Sequence, residues 1–159
     1  MTQADVPSAH ALLSKYLLKE KLAPVFSLTE FEHWFLPRSG VISCYVATND
    51  AQDPTRVTDM CSFYHLPSSV IGHPKYQTLY AAYSFYNVAT SVEFKDLMND
   101  LLILAKRENQ DVVNALNVMD NESAFKELKF GIGDGQLQYY LYNWSCPTME
   151  AKDIGLVLL

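Results

Sequence analysis

With 159 residues, close to half of them apolar, the chain is long enough to bury one sizeable core and sits in the size range of a single domain, expected to span 1–159. Its 12 basic and 18 acidic side chains leave a formal charge of -6, which repels nucleic-acid phosphates and anionic lipid, favours a cationic partner and keeps the chain in solution. Cys44, Cys61 and Cys146 are odd in number and never form a C-x-x-C pair, so no disulfide framework or zinc site is expected, and a reduced, cytoplasmic setting fits them best.

Taken from the amino end, Met1-Thr2-Gln3-Ala4-Asp5 begins nothing like a signal peptide, and no stretch approaches the roughly 20 apolar residues of a membrane span. No Gly follows Met1 and the carboxyl end is not a prenylation box, so the chain is expected to carry no lipid address of its own. Asp5-Val6-Pro7 is a helix start, and Ala9, Leu12, Leu13, Tyr16 and Leu17 recur behind it at helical spacing. Ser27-Leu28-Thr29-Glu30 has the spacing of a capping box, with Phe31, Trp34 and Phe35 as the buried stripe of a short second helix before Pro37. Val41 to Ala47 and Val57 to Leu66 are strand-like and joined by the polar stretch Thr48 to Arg56.

Thr78 to Thr90, rich in aromatic residues, predicts a long central strand, although its length also leaves a helix open for part of it. From Glu93 to Arg107 the period changes, and Phe94, Leu97, Met98, Leu101, Leu102, Leu104 and Ala105 form the apolar face of a helix. A strand at Asp111 to Leu116, a helix at Glu122 to Leu128 and a strand pair around Gly131-Ile132-Gly133-Asp134-Gly135 complete the series. This order predicts an α+β fold in which helices flank a mixed sheet.

The segment Lys129-Phe130-Gly131-Ile132-Gly133-Asp134-Gly135-Gln136-Leu137-Gln138-Tyr139-Tyr140-Leu141-Tyr142-Asn143-Trp144 admits two readings. Its alternate glycines allow a turn between two aromatic strands whatever the function. It also resembles the signature of the N-myristoyltransferases. Phe63-Tyr64-His65-Leu66-Pro67-Ser68-Ser69, Tyr83-Ser84-Phe85-Tyr86-Asn87, Asn114-Ala115-Leu116 and Gly155-Leu156-Val157-Leu158-Leu159 look like the same family, so the resemblance runs through most of the chain. It covers only the C-terminal, peptide-binding half of that enzyme.

The resemblance implies an acetyltransferase-like fold of the GNAT type and an ordered reaction between myristoyl-CoA and the amino-terminal glycine of a peptide. Myristoyl-CoA would be a co-substrate, held mainly by an amino-terminal half that also supplies the oxyanion hole. No tightly bound cofactor is implied. Independently, none of the six glycines sits in the Arg/Gln-x-x-Gly-x-Gly/Ala loop with which acetyltransferases cradle pyrophosphate. The expected partners are peptides with an amino-terminal glycine and the amino-terminal half, without which the chain is expected to be inactive and prone to self-association.

The carboxyl end is unusual on physical grounds. Termini are normally polar and frayed, whereas Ile154 to Leu159 reads as a buried strand running to the last atom. A buried carboxylate needs hydrogen bonds, a cation, or a reason to act as a base. The resemblance identifies the Leu159 carboxylate as the base that accepts a proton from the substrate's glycine ammonium; the other reading is a terminal strand whose carboxylate reaches the surface. Resemblance also places Ser68, Tyr83, Asn114, Asp134, Gly135, Leu137 and Leu158 on the peptide groove. Asp134 is suited to a basic side chain downstream of the glycine, or equally to bonding amides of its own turn. His10, His33, His65 and His73 have no metal-ligand spacing and are assigned no catalysis. A non-catalytic peptide-binding module of the same fold, and more remotely an independent acyltransferase, remain the alternative functions.

Overall fold

The computed structural model describes residues 1–158. After a 3-10 turn over Gln3–Asp5, in which the Thr2 amide and hydroxyl donate to the Asp5 carboxylate, helix α1 runs over Val6–Leu17. It buries Val6, Ala9, Leu13 and Leu17, the i, i+3, i+4 stripe that its sequence predicts. Helix α2, Leu28–Phe35, starts where the capping box places it: the Glu30 amide donates to the Ser27 hydroxyl at 3.2 Å and the Ser27 amide donates to the Glu30 carboxylate at 2.8 Å. Phe31 and Phe35 stack at 4.5 Å, and Phe35 stacks in turn on Phe85 at 5.0 Å.

Strands β1 (Ile42–Ala47) and β2 (Asp59–His65) pair antiparallel with Ile42 opposite Tyr64. A small ribbon of β3 (Ser68–Ser69) and β4 (Thr78–Leu79) precedes β5 (Ala81–Ser84), which lies antiparallel to β2. The chain then crosses over through helix α3, Phe94–Arg107, and returns as β6, Val112–Asn114, parallel to β5. A short helix α4, Glu122–Phe125, and a 3-10 turn over Ala151–Asp153 follow. The main sheet is therefore mixed, in the order β1-β2-β5-β6.

Side chains that alternate along the strands divide the interior in two. Ile42, Cys44 and Met60 pack with α1, α2, Phe85, Tyr86, Ile154 and Val157 on one face, while Cys61, Phe63 and Ala82 pack with Leu97, Met98, Leu101, Ala105 and Ala124 on the other. The larger of these, such as Ile42, Met60, Phe63 and Leu101, each contribute roughly 1.5–3 kcal/mol of transfer free energy on burial. Among the described residues no helix is long and apolar enough to cross a membrane.

The long central strand expected over Thr78 to Thr90 is interrupted. Regular pairing stops at Ser84, and it resumes only at a single bridge between Met60 and Val88, one residue out of the earlier register. This is a bulge, and side chains fill the broken ladder: the Tyr86 amide donates to the Ser62 hydroxyl at 3.0 Å, and the Ser62 amide donates to the Asn87 side-chain oxygen at 3.1 Å. The extra residue lets Phe85 and Tyr86 both reach the aromatic cluster around Phe35.

No strand pair forms around Gly131 to Gly135. A strand needs a neighbouring ladder, and here Tyr140, Tyr142 and Trp144 stand 87%, 99% and 74% exposed with β6 left as a sheet edge. The helix expected over Glu122 to Leu128 is regular only to Phe125, after which turns continue to Lys129 at φ 59°.

Ile154 bridges Leu22 in parallel, but Gly155 to Leu158 is not a strand. Gly155 passes so close to the end of α1 that a Cβ there would lie 2.8 Å from Glu20 Cγ and 3.1 Å from Leu17 Cδ2, so only glycine fits without displacement. Burial of this segment matches expectation at Ile154 and Val157, whereas Leu158 is half-exposed. Leu159 lies outside the described residues.

Candidate functional site

Residues opposite one another in a sheet share a face, and the register places Tyr64 opposite Tyr83 and Tyr83 opposite Asn114. The Tyr64 and Tyr83 rings stack at 5.2 Å with 14° between their planes. Along one side of this row opens a cavity of about 180 Å³, closed by Leu116 and Leu137 and by Val157 and Leu158 of the terminal segment. Tyr83, Asn114, Leu137 and Leu158, expected on one groove, are thus brought together from four separate parts of the chain.

Three other candidates lie away from this cavity. Ser68 is exposed on β3 in the small ribbon, and Asp134 and Gly135 are exposed in the irregular segment that follows α4. That segment does reach a second, wider groove of about 480 Å³ at the sheet edge, where Gly131 and Gly133 face Val112, Asn114, Leu102 and Lys106. Asn114 and Ala115 border both spaces.

Three tyrosines hold the terminal segment beside the cavity. The Tyr86 hydroxyl donates to the Gly155 carbonyl at 3.0 Å and accepts from the Val157 amide at 3.2 Å. The Tyr139 hydroxyl donates to the Leu156 carbonyl at 2.6 Å, and the Tyr64 hydroxyl reaches the Leu158 carbonyl at 3.4 Å. Burial pushes the Tyr86 phenol up to about 12 and raises those of Tyr64 and Tyr139, so all three remain protonated donors near neutrality. Tyr64 and Tyr86 lie within segments singled out by sequence but carried no assigned place; the signal was their position, opposite Tyr83 in the register and just beyond Ser84 at the bulge.

On the opposite face a histidine joins a polar cluster. Ser43 donates to Glu108 at 2.6 Å, its hydroxyl lies 2.9 Å from His65 Nε2, and the Tyr45 hydroxyl donates to the other Glu108 oxygen. The same Glu108 oxygen that receives Ser43 is 3.3 Å from the same His65 nitrogen. The three groups close a triangle on one ring nitrogen, unlike a nucleophile relay, in which hydroxyl and carboxylate hold opposite nitrogens of the imidazole. Among the described residues no group of three or more His, Cys, Asp or Glu could hold a metal ion.

The family model described as myristoyl-CoA:protein N-myristoyltransferase, C-terminal domain, matches residues 1–157. A glycylpeptide N-tetradecanoyltransferase of Drosophila melanogaster is 52% identical over 159 residues, covering all of this chain and 33% of its own length; the Dictyostelium discoideum enzyme of that name is 52% identical over 160 residues, with 38% of its length covered. The chain thus spans about a third of the length of these relatives. A Saccharomyces cerevisiae N-myristoyltransferase with bound myristoyl-CoA and inhibitors superposes at a TM-score of 0.75 with 30% identity, over 85% of this chain and 36% of that one. An acetyltransferase of Trypanosoma brucei, at 18% identity and a TM-score of 0.64, covers 89% of this chain and 96% of its own, and shows that the expected acetyltransferase-like fold is present. By sequence and by fold, the chain belongs to the N-myristoyltransferase family, of which it carries the C-terminal domain.

Proposed function

We propose that the chain acts as one domain, the peptide-recognition part of a protein N-myristoyltransferase, and supplies the base for transfer of myristate from myristoyl-CoA to a peptide's amino-terminal glycine. The observation that carries this reading is the convergence of Tyr83, Asn114, Leu137 and the terminal segment on one cavity. An α-ammonium has an ordinary pKa of about 7.7–8.0, so near neutrality the nucleophile is largely protonated and needs a base. In this reading the Leu159 carboxylate takes a proton from the glycine ammonium. The neutral amine then adds to the thioester carbonyl carbon, the carbon–sulfur bond breaks, and the CoA thiolate leaves as the amide forms. The amide nitrogen's remaining surplus proton goes to the leaving thiolate or solvent.

The exposed backbone of β6, an edge strand bordering the cavity, suits an extended peptide. Ser68 and Gly135 would contact its later residues, and the exposed Asp134 carboxylate would meet a basic side chain, in keeping with the net charge of -6. The amino-terminal part of the enzyme, which accounts for the greater share of the relatives' length, would hold myristoyl-CoA and supply the oxyanion donors. Exposed Tyr140, Tyr142 and Trp144 offer it an apolar surface that would otherwise favour self-association.

The test is transfer of a myristoyl group to a glycine-ending peptide by this chain, with and without the amino-terminal half, beside a form extended past Leu159. Activity only in the complemented, unextended sample supports the reading. Undiminished activity after extension removes the carboxylate from the mechanism. Failure of complementation leaves a peptide-binding module.

A further inference from the structure

A terminal segment outside any sheet lacks ladder bonds and ordinarily frays. Gly155 to Leu158 has no regular ladder, yet the backbone polar groups of four successive residues are engaged by phenol hydroxyls from three distant parts of the chain. Tyr86 is the central one. Its hydroxyl grips the peptide units on both sides of Leu156, accepting from Val157 and donating to Gly155, while its ring is fixed by Phe26, Phe35 and Phe85 at 5.9, 5.7 and 4.7 Å. From the other side, Leu17 and Glu20 press on Gly155 closely enough to exclude a Cβ.

We infer that Tyr86, assisted by Tyr139 and Tyr64, is a positioning residue that fixes the backbone of Gly155 to Leu158 beside the cavity. This rests on the proposed role of the Leu159 carboxylate. The bulge between Ser84 and Val88 is what makes the placement possible, because the inserted residue lets Phe85 and Tyr86 both turn into the core. A rigid phenol buried in an aromatic cluster holds this backbone better than a flexible side chain would, and misplacement of a reacting group by about 1 Å can lower a rate on the order of 100-fold.

The experiment compares wild type, Tyr86→Phe and Tyr139→Phe, assayed with the amino-terminal half, and follows hydrogen exchange at the Val157 amide in the same proteins. Tyr86→Phe is expected to lower kcat about tenfold or more with KM for the peptide within about twofold, and to speed Val157 exchange at least about tenfold while β2 amides keep wild-type protection. Unchanged Val157 exchange in a folded Tyr86→Phe protein overturns the clamp. Unchanged kcat despite a freed amide, or a loss confined to KM, overturns its positioning role. If Tyr86→Phe does not fold, Tyr139→Phe decides by the same split between kcat and KM. Failure of the carboxylate reading is seen separately, as wild-type activity that survives extension past Leu159.

Discussion

On one face of the sheet the row Tyr64, Tyr83 and Asn114 borders open space, whereas on the other the row Ser43, Tyr45 and His65 is closed by Glu108 at the end of α3. Both sets are aromatic and polar and meet at β2, the first running from it across β5 and β6 and the second joining it to β1. The difference is what covers them: a terminal segment that leaves a cavity on one side, and a helix that satisfies each polar group on the other. A row of reactive side chain types therefore says little by itself, and open space beside it says more.

The largest effect is expected from removing the support of the open face. Phe35 is fully buried and in contact with Phe26, Phe31, Phe85 and Tyr86, so Phe35→Ala should cost about 3–5 kcal/mol in urea unfolding and loosen the Tyr86 ring with it. A loss below about 1 kcal/mol would mean that this cluster is not what supports the open face.

Asp59, at the start of β2, is next. Its buried carboxylate accepts the Thr90 and Ser91 amides at 2.8 Å and the hydroxyls of Thr58 and Ser91. Burial acts to raise its pKa, but those hydrogen bonds outweigh it and hold the group below its ordinary 3.8. Asp59→Ala should cost roughly 1–3 kcal/mol at neutral pH. Because the folded pKa is the lower one, this contribution is present above about pH 4 and is lost as pH falls through the folded value, so wild type and variant should converge in acid. A gap that persists below the folded value would show that packing, and not charge, holds the loop.

Two substitutions then separate the faces. Asn114→Ala is expected to lower kcat/KM of the complemented enzyme about tenfold, equivalent to about 1.4 kcal/mol, with little change in unfolding. Glu108→Gln should do the reverse, costing about 1 kcal/mol of stability with activity retained. The hydrogen bond to Glu108, followed by burial, pushes the Tyr45 phenol up to about 12, so Glu108→Gln should also bring its ultraviolet titration down toward 10. Sign follows from the raised folded value: the wild-type contribution is intact below pH 10 and is lost as pH rises toward 12. If Glu108→Gln abolished activity instead, the closed face would have to be counted part of the site.

Much of the helical framework was legible in the residues. The Ser27 and Glu30 spacing located α2 to the residue, and the apolar stripe of Glu93 to Arg107 located α3, because caps and helical faces depend on neighbours three and four positions away. Strand-like patterns were less secure. Thr78 to Thr90 and Gly131 to Trp144 have the composition of strands, but a ladder requires a partner at the right register, and the first is broken by a bulge while the second has none.

By itself the sequence determined the family, the α+β class, the extents of the helices α1 to α3 with the cap of α2, and the burial of Ile154 and Val157. Tertiary structure alone decided that Tyr64, Tyr83 and Asn114 stand in one row, that Leu137 and Leu158 close a cavity against it, and that Tyr86 holds the terminal backbone. The division has a physical cause. Helix propensity and capping are local interactions, whereas strand order, a single inserted residue and the approach of a chain end are settled only when distant segments compete for the same buried surface.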